Sequence, residues 1–97
     1  MQSRPVDAYI LDTLLRDLAG HDHSPSAFLV YLQLWNQTLG RRKRSIAISL
    51  QTLAHLTGLS KSTVQAALRI LKRRKLIHVK RVNPTATPVY EVQRPWL

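Results

Sequence analysis

The first part of the chain carries two stripes of hydrophobic residues at helical spacing. The first stripe starts after Pro5 and consists of Val6, Ile10, Leu11, Leu14, Leu15 and Leu18. The second starts after Ser24 and Pro25, which have the order of an N-cap and a first-turn proline, and consists of Phe28, Tyr31, Leu32, Trp35 and Leu39. We therefore predict helices over residues 5–19 and 25–39, each followed by a glycine, with Trp35 in the core.

A different pattern, in which β-branched or aromatic residues alternate with other residues, predicts three short strands. It occurs at residues 45–48, and again near the C-terminus at residues 77–81 and 89–93. The connection between the last two segments, residues 83–88, contains an asparagine and two prolines, which favour turns. These features predict a β-hairpin over residues 76–94.

Residues 49–75 contain the most specific pattern in the chain. Ser49 and Ser60 each precede a helical pattern and are suited to cap a helix N-terminus. Between the two helices, Gly58 can adopt the left-handed conformation that ends a helix. Ala54 is small enough to let two helices cross closely; Gly58 follows four residues later, and Val64 follows six residues after that. These offsets predict a helix-turn-helix.

The second helix of this motif has a polar face without an acidic residue. At about 100° per residue, its apolar residues occupy one arc and its polar residues the other, and the latter are Ser62, Gln65, Arg69, Lys72 and Arg73, with Lys61 at the edge. Short polar side chains at the N-terminal part suit base edges, and cations at the C-terminal part suit phosphates. The alternative to DNA binding is an ordinary surface helix whose charged side chains are solvated and bind no partner.

Composition supports a polyanionic partner. The 97 residues include 15 Lys or Arg against 5 Asp or Glu, for a net charge of +10, and 44% are hydrophobic. Residues 1–38 hold four of the acids and only two of the cations, so the positive charge is concentrated in residues 39–97. Such asymmetry indicates a surface for nucleic acid, although a basic face can also serve solubility alone.

Several classes of protein and site are not expected. The chain is too short for a large enzyme scaffold, and no cluster of residues resembles a catalytic constellation, so we expect no enzymatic activity and no cofactor. There is no cysteine, and the four histidines lack metal-ligand spacing. No apolar run is long enough to span a membrane, and the N-terminus lacks signal-peptide order, so a cytoplasmic location is expected. No small-molecule ligand is evident.

The stretch LAHLTGLSKSTVQAALRILKRRKLI resembles the winged helix-turn-helix superfamily. The turn ending in Gly-Leu-Ser, the following Ser-Thr-Val, the Ala-Leu pair and the closing Leu-Ile are similar to MarR-like and GntR-like regulators and to winged-helix domains of plasmid and phage replication proteins. The resemblance and the pattern of elements together predict a mainly α fold with a small antiparallel sheet (α+β), in the order helix-helix-strand-helix-helix-strand-strand. The resemblance also implies DNA reading by Lys61, Ser62, Thr63, Gln65 and Arg69, and phosphate contacts from Lys80 and Arg81.

We therefore expect one winged-helix domain over residues 1–97 that binds double-stranded DNA in a sequence-specific manner. It would act as a transcriptional regulator or as the DNA-docking domain of a replication initiator. The candidate DNA-binding residues are Gln51, Lys61, Ser62, Thr63, Gln65, Arg69, Lys72, Arg73, Lys80 and Arg81. The alternative is an adaptor that binds proteins and not DNA, but an adaptor has no need of acid-free cationic elements.

Three surface features leave more than one interpretation open. Leu11 and Leu15 lie beside the main stripe of the first helix, so they are candidates for a homodimer contact. The run at residues 41–44, Arg-Arg-Lys-Arg, suits a flanking phosphate or the negative end of the preceding helix. Trp96 could clamp the sheet or pack against a partner.

Overall fold

The structure is a computed structural model that describes residues 2–97. Its elements in chain order are an N-terminal helix with the parts Ile10–Leu14 and Asp17–His21, helix α1 (Pro25–Gln37), strand β1 (Ser45–Ala47), helix α2 (Leu50–Thr57), helix α3 (Lys61–Arg73), strand β2 (Ile77–Lys80) and strand β3 (Val89–Val92). The strands form an antiparallel sheet in the order β1-β3-β2. This is a winged helix-turn-helix, so the predicted α+β class and element order are confirmed.

The N-terminal helix is wound more widely than predicted and continues past Gly20 to His21. Both of its parts close through bonds five residues apart, as from Asp22 N to Asp17 O at 2.9 Å. In an α-helix a strict four-residue repeat advances by about 40° at each step, so its side chains spiral off one face. The wider winding keeps Ile10, Leu14 and Leu18 together, and all three are buried in the core.

Helix α1 ends at Gln37, two residues before the predicted end. Thr38 is fully buried, its hydroxyl donates to Leu34 O at 2.7 Å, and its backbone leaves the helical region. A threonine hydroxyl that bonds back to the preceding turn competes with continuation of the helix. The chain then makes a short 3₁₀ turn, Leu39–Arg41, so Gly40 does not cap α1.

The local signals in the helix-turn-helix are confirmed. The Ser49 hydroxyl accepts from Thr52 N at 3.1 Å and caps α2, while the Ser60 hydroxyl accepts from Thr63 N at 3.2 Å and caps α3. Gly58 ends α2 with φ +74°, and its N–H donates to Ala54 O. These contacts satisfy backbone groups that helix ends leave free, and they fix the crossing of α2 and α3.

The sheet connects the helix-turn-helix to the chain termini. Tyr90 of β3 is paired with Ile46 of β1 on one side and Val79 of β2 on the other. We define the wing as residues 77–92, which comprise β2, β3 and their loop. The pairing of β1 with β3 continues one step beyond Ala47, where the Ile48 N–H donates to Pro88 O in the wing loop at 3.2 Å, and it ends there because proline has no N–H to donate in return.

A polar and aromatic cluster joins the N-terminal segment to the C-terminus. The Asp7 carboxylate accepts from the Arg94 guanidinium at 2.6 and 2.9 Å and from Trp96 Nε1 at 3.2 Å, and Trp96 stacks on Tyr9. Trp96 therefore packs within the chain. Trp35 is 4% exposed, as predicted for a core residue, and its Nε1 donates to the Pro5 carbonyl.

Within residues 2–97, no helix has both the length and the apolar content needed to cross a membrane.

We predict that Tyr31→Phe lowers stability near neutral pH but has a smaller effect in alkali. The Tyr31 hydroxyl donates to Gln93 O at 2.9 Å, a bond worth about 1 kcal/mol. Burial, reinforced by Asp7 and opposed by Arg94, raises the pKa of Tyr31 well above its usual 10.0. The unfolded chain therefore loses this proton first, and the wild-type chain loses stability as the pH rises above 10.0.

Urea unfolding of both proteins at neutral pH and near pH 11 measures the two free energies of unfolding. The difference in free energy of unfolding between the wild type and Tyr31→Phe should be smaller at the higher pH. An equal difference at both values would contradict the assignment of this proton to Tyr31.

Candidate nucleic-acid interface

Helix α3 presents a continuous cationic and polar face. Its buried side, Val64, Ala67, Leu68 and Leu71, packs into the core. On the opposite side the exposed residues are Lys61, Ser62, Gln65, Arg69, Lys72 and Arg73. None of them forms an ion pair within residues 2–97, so the charges on this face are available to a partner.

The first turn of α3 differs in its chemistry from the rest of the face. Thr63 is only half exposed, and its hydroxyl oxygen accepts from the Ser60 hydroxyl at 2.8 Å. The Ser62 hydroxyl lies 3.2 Å from the same Ser60 oxygen. Thr63 therefore supports the cap of α3, whereas Ser62 and Lys61 face solvent.

A groove of about 280 Å³ lies between α3 and the sheet. Gln65, Arg69 and Lys72 line it from α3, and Arg81 lines it from the wing. Three of the predicted cations, Arg69 and Lys72 of the helix and Arg81 of the wing, thus border one concave surface. Positive side chains around a concavity concentrate a field that attracts an anionic partner.

Tyr90 forms part of the wall of this groove and was not among the predicted site residues. Burial raises its pKa and the nearby Arg81 charge opposes that rise, so its hydroxyl stays neutral at ordinary pH. The strand alternation at residues 89–93 indicated a core residue here. The pattern does not show that Tyr90 lies beside α3, because it carries no information on where the helix packs on the sheet.

The two predicted phosphate contacts of the wing have partners within the chain. Lys80 Nζ lies 3.3 Å from Glu91 Oε1, although the lysine side chain is 62% exposed. Arg81 donates to the Pro84 carbonyl at 3.1 Å and thereby braces the wing loop. Val82, the next residue of this loop, is 95% exposed. The wing therefore carries less free positive charge than its sequence indicates.

Gln51 is exposed in the first turn of α2. The Ile48–Pro88 hydrogen bond joins the segment just before α2 to the wing loop. The N-terminus of α2 and the wing loop therefore lie at the same end of β1. The N–H groups at a helix N-terminus favour phosphate.

Arg74 does not belong to this surface, because it forms ion pairs within the chain. Its guanidinium donates to both carboxylate oxygens of Asp22, at 3.1 and 3.2 Å, and lies 4.0 Å from Asp17. It ties the end of α3 to the N-terminal helix. Nearby, Lys75 and His78 line a hollow of about 330 Å³ with Lys72, which extends the basic surface beyond α3.

The histidines do not form a metal centre in the part of the chain that the structure describes, where no three His, Cys, Asp or Glu side chains come together. His21 pairs with Asp22 at 2.8 Å at the surface.

A protein-family model described as a helix-turn-helix domain matches residues 24–77, more than half of the chain. The matched residues run from the N-cap of α1 to the first residue of β2. The chain therefore belongs to this family of helix-turn-helix domains. Membership supports DNA as the partner, and the family is typically non-enzymatic. No curated protein and no solved structure matches the chain.

Proposed function

We propose that the protein binds double-stranded DNA in a sequence-specific manner, with α3 in the major groove. It would act as a transcriptional regulator or as the DNA-docking domain of a replication initiator, and by binding rather than by catalysis. One observation carries the proposal: the exposed face of α3 is free of acids and borders the same groove as Arg81 of the wing.

The exposed residues of α3 form two groups according to their side chains and their position along the helix. Gln65 and Arg69 lie near the middle of the exposed face and border the groove, and their side chains suit adenine and guanine edges respectively. Lys72 and Arg73, one turn later, have the reach and charge for phosphates. Gln51 supplies a backbone contact from the N-terminus of α2, while Lys61 and Ser62 flank the reading positions.

The ion pairs favour DNA over the adaptor alternative. Asp7, Asp17 and Asp22 neutralise Arg94 and Arg74, which hold the chain ends against the core. These acids therefore form ion pairs within the fold, and α3 itself contains no acid. A protein-binding face has no requirement for this separation of charge, whereas phosphate binding needs an uncompensated positive surface.

We predict that the affinity for duplex DNA falls steeply with salt. Roughly six phosphate contacts would give a slope near −5 in a plot of log K against log salt, because each contact releases condensed counterions. Fluorescence anisotropy with a labelled duplex measures this slope. Lys72→Gln should make it shallower by about one unit, and a wild-type affinity that does not change with salt would remove the DNA hypothesis.

We predict that Gln65→Ala and Arg69→Ala lower the discrimination between a selected site and random DNA by roughly 1–3 kcal/mol each. Arg73→Ala is the matched control, since it removes the same residue type one turn away from Arg69 and should weaken both DNAs alike. Site selection followed by competition binding measures the ratios. Equal losses on both DNAs for all three variants would mean that α3 does not read bases.

We also propose a homodimer formed through the N-terminal helices. Leu11 and Leu15 are 55% and 40% exposed, whereas Ile10, Leu14 and Leu18 are buried against the core. The exposed pair is spaced one turn apart and forms an apolar strip that a second copy could cover. A two-fold dimer would present two α3 helices to half-sites about 34 Å apart.

The expected result is a dimer of the wild-type chain in sedimentation at micromolar concentration, with or without a palindromic site. Leu11→Lys combined with Leu15→Lys should yield a monomer, because it places like charges in the contact. Leu29→Lys combined with Leu56→Lys is the matched control, since it changes exposed leucines away from this helix. A monomeric wild type on palindromic DNA would refute the dimer.

A further inference from the structure

A second basic surface lies outside the α3 groove. It consists of residues 41–44, all exposed, and we call it the cationic turn. None of its four side chains forms an ion pair within residues 2–97, and none donates a hydrogen bond to a protein group there. Four adjacent positive charges without a counter-charge repel one another, so an anionic partner would stabilise this arrangement.

The negative end of α1 does not account for these charges. The Leu34 carbonyl accepts from the Thr38 hydroxyl, and the Trp35 carbonyl accepts from Thr38 N. The Thr38 carbonyl accepts from the N–H groups of Arg41 and Lys43 at 2.9 Å. The Leu34, Trp35 and Thr38 carbonyls are therefore satisfied by the chain itself, and within residues 2–97 none of the guanidinium groups of the turn donates to the end of α1.

The N-terminal segment adds a fifth cation to this surface. Arg4 lies against Gly40, where an added Cβ would be 3.6 Å from Arg4 Cβ and 3.2 Å from the Trp35 carbonyl oxygen. The Trp35 indole holds the segment in place through the Pro5 carbonyl. Arg4, Arg41 and Arg42 thereby share the wall of an open hollow of about 420 Å³.

The cationic turn and the wing loop lie at opposite ends of β1. The turn precedes Ser45, the first residue of β1, while the other end of β1 leads to the Ile48–Pro88 bond and the start of α2. The N-terminus of α2 and the wing loop therefore lie at one end of this strand, and the cationic turn lies at the other. A duplex that contacts the N-terminus of α2 and the wing loop would therefore approach the end of the sheet opposite the turn.

We propose that the cationic turn, with Arg4, binds the phosphate backbone of a second DNA duplex, so that one protein molecule can hold two duplexes together. The proposal rests on the proposed function for the α3 surface. Phosphate is favoured over a protein partner because residues 41–44 include no apolar side chain, whereas protein interfaces have apolar or aromatic centres. Arginine also matches phosphate oxygens in a bidentate manner.

The test uses the whole chain with two short duplexes, one fixed to beads and one fluorescent in solution. Wild-type protein should retain the fluorescent duplex on the beads. Arg41→Gln combined with Arg44→Gln should reduce this retention roughly tenfold, because it removes phosphate contacts. Its affinity for a single duplex, measured by anisotropy, should change by less than about twofold. Arg42 is left unchanged because its φ is +60°.

Two control variants separate the alternatives. Lys72→Gln combined with Arg73→Gln removes the same charge from α3 and should weaken binding of a single duplex. Leu11→Lys combined with Leu15→Lys should still join two duplexes, which excludes joining by a dimer with two α3 helices.

Three results would overturn the inference. In the first, the wild type binds one duplex but retains no second one. In the second, the Arg41→Gln, Arg44→Gln variant still joins two duplexes. In the third, that variant loses as much affinity for a single duplex as the α3 control does. The last would place both surfaces on one duplex. Failure of the wild type to bind any duplex would instead refute the proposed function itself.

Discussion

The burial of α1 is the constraint on which the rest of the structure depends. Val30, Tyr31 and Leu34 are fully buried, and the helix packs against α2, α3, the sheet and the N-terminal helix. Because protein interiors are close-packed, a helix covered on so many sides cannot shift without opening the core. α3 is held on this support by its own buried side chains. The orientation of its cationic face, and its distance from the wing, follow from that packing.

The separation of charge within the fold has a physical origin in the few acids of the chain. Arg94 is paired with Asp7 and Arg74 with Asp22, so the cations that fasten the two ends of the chain are neutralised locally. Partly exposed ion pairs of this kind contribute modestly to stability, but they fix the direction of the segments they join. Most of the charges left without a counter-charge within residues 2–97 are positive, and two concentrations of them are the exposed face of α3 and the cationic turn. Both surfaces therefore stay positive because the paired acids form their ion pairs elsewhere in the fold.

Much of the fold could be predicted from the sequence because its signals are local. Ser49, Ser60 and Gly58 act on backbone groups within four residues of themselves, so their roles did not depend on the rest of the chain. The end of α1 was missed because the Thr38 hydroxyl bonds back to Leu34, a choice that the wide apolar stripe conceals. The wide winding of the N-terminal helix was missed because a four-residue apolar repeat resembles that of an ordinary α-helix.

The sequence by itself determined the fold class, the helix-turn-helix and the sign of the surface around α3, since periodicity, capping residues and the absence of acids can all be seen along the chain. Only the tertiary structure decided which cations are free. Arg74 meets an acid 52 positions away, and Arg94 meets one 87 positions away. Lys80 is partly neutralised by Glu91 on the neighbouring strand, whereas Arg69 and Lys72 meet none. Electrostatic pairing depends on distance in space, and that distance is set by the packing of helices and strands that are remote in the chain.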